Sequence, residues 1–174
     1  CERLQVAAPL LDIGEIGLPD QLFADPALSE EGRERMRSHC RLGEALLADA
    51  QSPEIALAAT IARGHHERFN GAGYPDRLAG EDIPLACRIV AVIDCFDALT
   101  LKRPFREAYP IVTAAEMVMA GSGTEFDPAV IAAFRQSIEA LFLVRWVLDE
   151  TSTHPEGRCW LGKPPEAGLW KRFR

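Results

Sequence analysis

No stretch of this chain alternates apolar and polar residues at the two-residue period of a half-buried strand; its apolar residues recur at helical spacing instead. That feature steers 174 residues, enough for one domain with a proper core, towards an all-α fold. Ser29-Glu30-Glu31 opens a stretch in which Met36, Leu42 and Leu46 keep helical spacing, predicting one amphipathic helix that ends near Ala50. Ser52-Pro53-Glu54 reads as an N-cap followed by proline at the first helical position. Ile55, Leu57, Ala58 and Ile61 carry that helix towards Gly64. Leu85 to Leu101 is apolar enough for a buried helix, although its Ile, Val and Phe content also suits a strand. Thr113 and Glu116 form a T-x-x-E capping box, and Asp127-Pro128 caps a last helix running to about Val147. Between these segments, Asn70 to Pro84 is rich in Gly and Pro, which predicts an ordered or functional loop. Pro, Gly and charge dominate from about Leu148 onward, so the expected organisation is a domain over 1–147 and a tail over 148–174.

The charge balance excludes one class of function. Nineteen Lys and Arg against twenty-six Asp and Glu leave a net charge of -7, so no basic footprint for DNA covers the chain. Any chemistry on phosphates therefore relies on a local site. The longest apolar runs, such as Ala140 to Val144, fall far short of the roughly 20 residues that span a bilayer, so no membrane partner is expected. The five cysteines form an odd set without C-x-x-C spacing, which predicts reduced, buried thiols and a cytoplasmic location. Cys rather than Met at position 1 predicts an N-terminus internal to a longer gene product.

Four histidines are present, and three of them, His39, His65 and His66, are candidates for chemistry, because neutral imidazole is the commonest protein metal ligand. His65 and His66 follow Gly64 and precede the Gly-rich loop, where a fraying helix end lets both rings turn to one point. Asp12 stands in Leu11-Asp12-Ile13-Gly14, and Asp94 interrupts the apolar run Ile89-Val90-Ala91-Val92-Ile93. A buried carboxylate needs a partner, and a metal supplies one for both. Each residue alone has a plainer reading. His39 is then a hydrogen-bonded histidine, His65-His66-Glu67 a polar helix end, and Asp94 a partner of Arg88 or Arg103.

As a set, these segments resemble the HD-GYP family of metal-dependent cyclic di-GMP phosphodiesterases. The matching stretches are Ala7 to Pro19, Arg37-Ser38-His39, His65-His66-Glu67 and Gly71-x-Gly73-Tyr74-Pro75. They continue with Ile89 to Thr100, Arg103-Pro104-Phe105-Arg106 and Gly123-Thr124-x-Phe126-Asp127-Pro128, in family order and spacing from about Ala7 to Phe134. The resemblance implies an HD-domain-like helical bundle, here lacking the family's first helices. It implies that Asp12 bridges two metals, with His39, His65 and His66 completing one shell and Asp94 serving the other, so that Asp12 and Asp94 carry catalysis. It further implies that Arg103 and Arg106 bind substrate phosphates, as the guanidinium fork suits. The loop Gly73-Tyr74-Pro75 then shapes the pocket rim and contacts partners, a diguanylate cyclase or an upstream receiver or sensor domain.

Two positions depart from the pattern. The family's His-Asp pair is Leu11-Asp12 here, which leaves a set of three imidazoles and one carboxylate. Such a shell suits Fe, Mn, Ni or Zn and predicts one ion rather than two. Glu15 stands where the family usually has a lysine for the substrate phosphate. At ~5 Å and an effective dielectric of about 20, a charge pair amounts to about 3 kcal/mol, so the reversal weakens binding of a dianion. The expected function is thus a cyclic di-GMP phosphodiesterase, or one for a related cyclic dinucleotide, impaired by Leu11 and Glu15. The alternatives are an inactive metal- or nucleotide-binding docking module and a purely structural helical domain.

Overall fold

A computed structural model describes residues 2–24, 28–49, 51–102 and 107–151. Eight α-helices follow in order: α1 (Glu2–Ala7), α2 (Gln21–Ala24), α3 (Glu30–Arg37), α4 (His39–Leu47), α5 (Pro53–Gly64), α6 (Leu85–Thr100), α7 (Ile111–Ala120) and α8 (Pro128–Thr151). Short 3-10 turns lie at Ala8–Leu10, Ile13–Gly17 and Gly80–Asp82. Among the described residues the only β-type pairings are two isolated bridges, Asn70 with Ala79 and Ser122 with Phe126. The fold is all-α, and Leu85 to Thr100 resolves as helix rather than strand.

Three helices start where local capping chemistry dictates. Ser29 Oγ accepts from the Gly32 N–H at 3.1 Å and opens α3. Ser52 Oγ accepts from the Glu54 N–H at 3.2 Å, with Pro53 as the first residue of α5. Asp127 caps α8 through its side chain, which accepts from the Ala129 N–H at 2.7 Å. That helix continues to Thr151, past Val147 where the sequence places its end.

Two expectations are corrected. The helix predicted from Ser29 to Ala50 is two helices, broken at Ser38. There the Ser38 N–H is shared between the Glu34 and Arg35 carbonyls, and its hydroxyl donates back to the Arg35 carbonyl at 2.6 Å. A serine hydroxyl competes for a helix carbonyl in this way and tightens the turn. The T-x-x-E box does not cap α7, because that helix already starts after Pro110, whose carbonyl accepts from the Ala114 N–H at 3.0 Å. Thr113 lies inside the first turn.

Small residues bring the site-bearing elements together. An added Cβ on Gly43 of α4 would meet the Ala62 Cβ of α5 at 3.0 Å, and one on Gly64 would meet the Cys87 Sγ of α6 at 2.9 Å. The tightest approach is Gly14, where a Cβ would fall 2.0 Å from the His39 carbonyl oxygen and 2.5 Å from the Gly43 nitrogen. The 3-10 turn after Asp12 thus lies directly on the start of α4.

Two apolar clusters hold this arrangement, and α6 serves both. Val90 packs with Ala7, Ala58 and Ile61. Val92 and Phe96 pack with α7 and with Phe134, Ile138 and Phe142 of α8. Phe142 is fully buried, and burying such a side chain contributes about 1.5–3 kcal/mol. Arg88 of α6 donates to Asp127 at 2.6 Å, which ties α6 to the start of α8. Arg88, offered by the sequence as a partner for Asp94, is engaged with Asp127.

Candidate metal centre

The break at Ser38 puts His39 at the head of α4, and the end of α5 delivers His65 and His66. The 3-10 turn pinned by Gly14 brings Asp12 against them. Ligand atoms of Asp12, His39, His65 and His66 all lie within 4.8 Å of one another. Asp12 Oδ1 is 3.5 Å from His39 Nε2 and 3.3 Å from His65 Nε2. The two Nε2 atoms are 3.4 Å apart.

The outer side of each ring fixes its tautomer. His39 Nδ1 lies 2.8 Å from the Met36 carbonyl, and His65 Nδ1 lies 3.0 and 3.1 Å from the Ile61 and Ala62 carbonyls. A carbonyl only accepts, so both Nδ1 atoms carry the proton. In the neutral rings the Nε2 lone pairs then face each other and Asp12. Two lone pairs and a carboxylate at such separations repel unless a cation or a proton lies between them. Backbone carbonyls holding the outer nitrogen are also the usual support of metal-binding imidazoles. The donor set therefore fits a divalent ion.

Electrostatics agree. Burial, together with the neighbouring His65 and His39, pushes His66 down to about 3, so its ring is neutral near pH 7. Burial works against charge on Asp12, but a proton shared with His65 and positive charge on the surrounding imidazoles outweigh it and hold the carboxyl below its ordinary value, as a cation at the same point would. Cys40 sits beside this group, with Sγ 3.4 Å from His39 Nε2. Burial first, then the Asp12 and Glu67 carboxylates, push its thiol up to about 12, so it remains protonated.

Asp94 lies outside the four-residue group. It lines an adjoining cavity of about 230 Å³ with His65, His66, Arg68 and Glu125. It also lines an apolar cavity of about 550 Å³ beside Leu11, Leu4, Ile89 and Ile93. Leu11 packs against the cluster of Ala7, Ala58, Ile61 and Val90. Arg103 and Arg106 lie outside the described residues.

The loop over the centre is built from three residues the sequence marks and one it does not. Tyr74 stands against His66, ring centroids 4.8 Å apart, and its N–H donates to the His66 carbonyl at 3.2 Å. Burial raises the Tyr74 phenol above its ordinary value. Gly73 makes the crossing possible, since a Cβ there would meet the Arg68 nitrogen at 2.3 Å and the His66 carbonyl oxygen at 2.6 Å. Pro75 lines the neighbouring surface cavity. Sequence reasoning left Glu67 as a polar helix end. It is instead 4% exposed and accepts the N–H groups of Asp76 at 2.7 Å, Arg77 at 3.1 Å and Leu78 at 3.1 Å. Arg63 was also missed; it pairs with Glu44 of α4 and with Asp76 of the loop at 2.6 Å.

A family model described as "HD domain" matches residues 1–130. The chain belongs to the HD domain family. Its HD-GYP resemblance is matched by curated relatives. The cyclic di-GMP phosphodiesterase response regulator RpfG of Xanthomonas campestris is 45% identical over 131 residues, which are 75% of this chain and 35% of that protein. A cyclic di-GMP phosphodiesterase of Thermotoga maritima is 39% identical over 166 residues, 94% of this chain and 45% of the relative. A 3'3'-cGAMP-specific phosphodiesterase of Vibrio cholerae is 32% identical over 145 residues, 83% of this chain and 28% of the relative. This HD domain thus spans less than half the length of the relatives it matches. A crystal structure of a cyclic GMP-AMP specific phosphodiesterase from V. cholerae shares the fold. Its TM-score is 0.52 at 23% identity, over 79% of this chain and 31% of that one. Among the described residues, no helix is long and apolar enough to cross a membrane.

Proposed function

We propose that this HD domain hydrolyses a phosphodiester bond of a cyclic dinucleotide, cyclic di-GMP or a close relative, with one divalent metal. The observation that carries the reading is the convergence of Asp12, His39, His65 and His66 on one point, with both outer imidazole nitrogens bonded away from it. Three nitrogens and a carboxylate suit Fe, Mn, Ni or Zn. Such an ion supplies an acidified water and neutralises charge at phosphorus.

The protein's own residues do the rest. Asp12 is half exposed and marks the open side of the group, while His39 and His65 are buried and rigidly hydrogen-bonded behind it. Tyr74 covers His66 and limits water on that side. Asp94 stands across the adjoining cavity, where a carboxylate can hold a second cation or accept a proton. Arg103 and Arg106 provide the phosphate contacts in this reading. Leu11 offers no ligand atom beside Asp12, and Glu15 places a negative charge in the same 3-10 turn, so turnover is weakened.

The test is turnover of cyclic di-GMP and of 3'3'-cGAMP by the metal-loaded protein. Linear dinucleotide or mononucleotide products that disappear in His65→Ala support the reading. Metal bound at the parent level with neither substrate cleaved supports the docking module instead. Gly73, Tyr74 and Pro75 are then its partner surface, with a diguanylate cyclase or a receiver domain as the partner to try first.

A further inference from the structure

Between the loop and the α3–α4 junction lies a cavity of about 550 Å³, lined by Arg37, Arg41, Arg77, Glu34, Ser38 and Tyr74 and by none of the three histidines. Three guanidiniums face one carboxylate there, in a chain whose net charge is -7. Arg37 pairs with Glu34, has Glu30 at 3.8 Å, and lies over the Tyr74 ring, 5.4 Å from its centroid. Arg41 reaches Asp76 only at 3.7 Å, and Asp76 is already bonded twice by Arg63. Among the described residues, the Arg77 guanidinium has no ion-pair partner.

Arg77 is unusual in a second way. With φ of 58°, it is the only described non-glycine residue in the left-handed region. Side chains rarely adopt that conformation. Here the buried Glu67 carboxylate holds it in place through the Arg77 N–H at 3.1 Å. The fold thus maintains an unfavourable backbone at the residue that adds the third guanidinium to the cavity. Local strain of this kind persists where the surroundings over-determine it, and it collects at ligand sites.

We propose that this cavity is a binding site for a phosphate dianion, separate from the candidate metal centre and walled from it by Tyr74. Guanidinium forks grip phosphate oxygens in pairs, and an unpaired fork beside two engaged ones leaves net positive charge for the anion. A phosphate monoester, such as a mononucleotide, and free inorganic phosphate share this chemistry.

The experiment is isothermal titration of the full chain with inorganic phosphate and, separately, with guanosine 5'-monophosphate, at matched ionic strength with acetate as control. The variant is Arg77→Gly, because glycine adopts φ of 58° freely and the fold is kept while the guanidinium is lost. Losing one charge-assisted contact weakens phosphate binding by about tenfold or more. The variant's melting temperature should be unchanged or higher, and its metal content should equal that of the parent. Tighter binding of the mononucleotide than of phosphate identifies an organic phosphate as the ligand; equal binding identifies the free ion. Acetate binding as well as phosphate, no binding by the parent, or equal affinity in Arg77→Gly overturns the proposal. None of these readouts depends on turnover, so failure here is distinct from failure of the metal reading.

Discussion

Replacing Gly14 by alanine tests whether the metal group depends on the contact between the Asp12 turn and α4. The new Cβ would lie 2.0 Å from the His39 carbonyl oxygen and 2.5 Å from the Gly43 nitrogen, both backbone atoms that no rotamer change can move. To reach ordinary contact the turn must back away by about 1.4 Å, several times the ~0.2 Å tolerance on metal–ligand distances. Asp12 is two residues away and moves with it, while His39, His65 and His66 stay on α4 and α5. Overpacking of this kind costs about 1–3 kcal/mol, or several degrees of melting temperature for a domain of this size. Gly17→Ala is the control, since it lies in the same 3-10 turn but its nearest neighbours are side-chain atoms of Leu42, the closest Cδ1 at 3.2 Å. Leu42 is a flexible, exposed side chain, so that variant changes stability by about 0.5 kcal/mol or less. The assay is metal content after reconstitution, beside thermal unfolding followed by circular dichroism. Gly14→Ala should lose metal and melt early, while Gly17→Ala matches the parent. Equal metal content in the two variants refutes the reasoning.

Other perturbations follow from the same geometry. Glu67→Gln turns an amide donor towards one of three loop N–H groups, so thermal unfolding should show a loss of about 1–3 kcal/mol and faster amide exchange at Asp76 to Leu78; unchanged exchange there contradicts the anchoring role. Asp127→Ala removes both the cap of α8 and the partner of the partly buried Arg88, and should cost about 2–4 kcal/mol by denaturant unfolding. The Asp76 carboxyl is held below 3.8 chiefly by its hydrogen bond from Arg63. Its contribution is complete above that value and is lost as pH falls through the lowered one, so Asp76→Asn should flatten the stability profile below about pH 4. Leu11→His places an imidazole beside Asp12, and should raise metal uptake and cyclic di-GMP turnover. A variant no more active than the parent shows that Leu11 is not what limits the site.

The sequence displayed the helices that carry their own punctuation. Ser52-Pro53 and Asp127-Pro128 start α5 and α8 as capping chemistry requires, because those signals are local. The α3–α4 break was invisible, since helical spacing continues across Ser38 while the turn comes from a hydroxyl competing for one carbonyl and from Gly14 packing on the next turn. The convergence of the histidines with Asp12 was legible through motif and resemblance, and Asp94, which the resemblance assigns to a different shell from the histidines, lines the cavity adjoining His65 and His66. Glu67 and Arg77 were not legible at all. Their roles depend on where a loop nine to eleven residues downstream returns, and on a left-handed backbone that no composition rule marks.

The central claim is that Asp12, His39, His65 and His66 hold a metal. Elemental analysis of anaerobically purified, metal-reconstituted protein tests it most directly, with His65→Ala prepared in parallel and shown to be folded by circular dichroism. The account predicts about one transition-metal ion per parent chain and almost none in the variant. A parent chain that binds no metal, or a folded His65→Ala that binds as much as the parent, contradicts it.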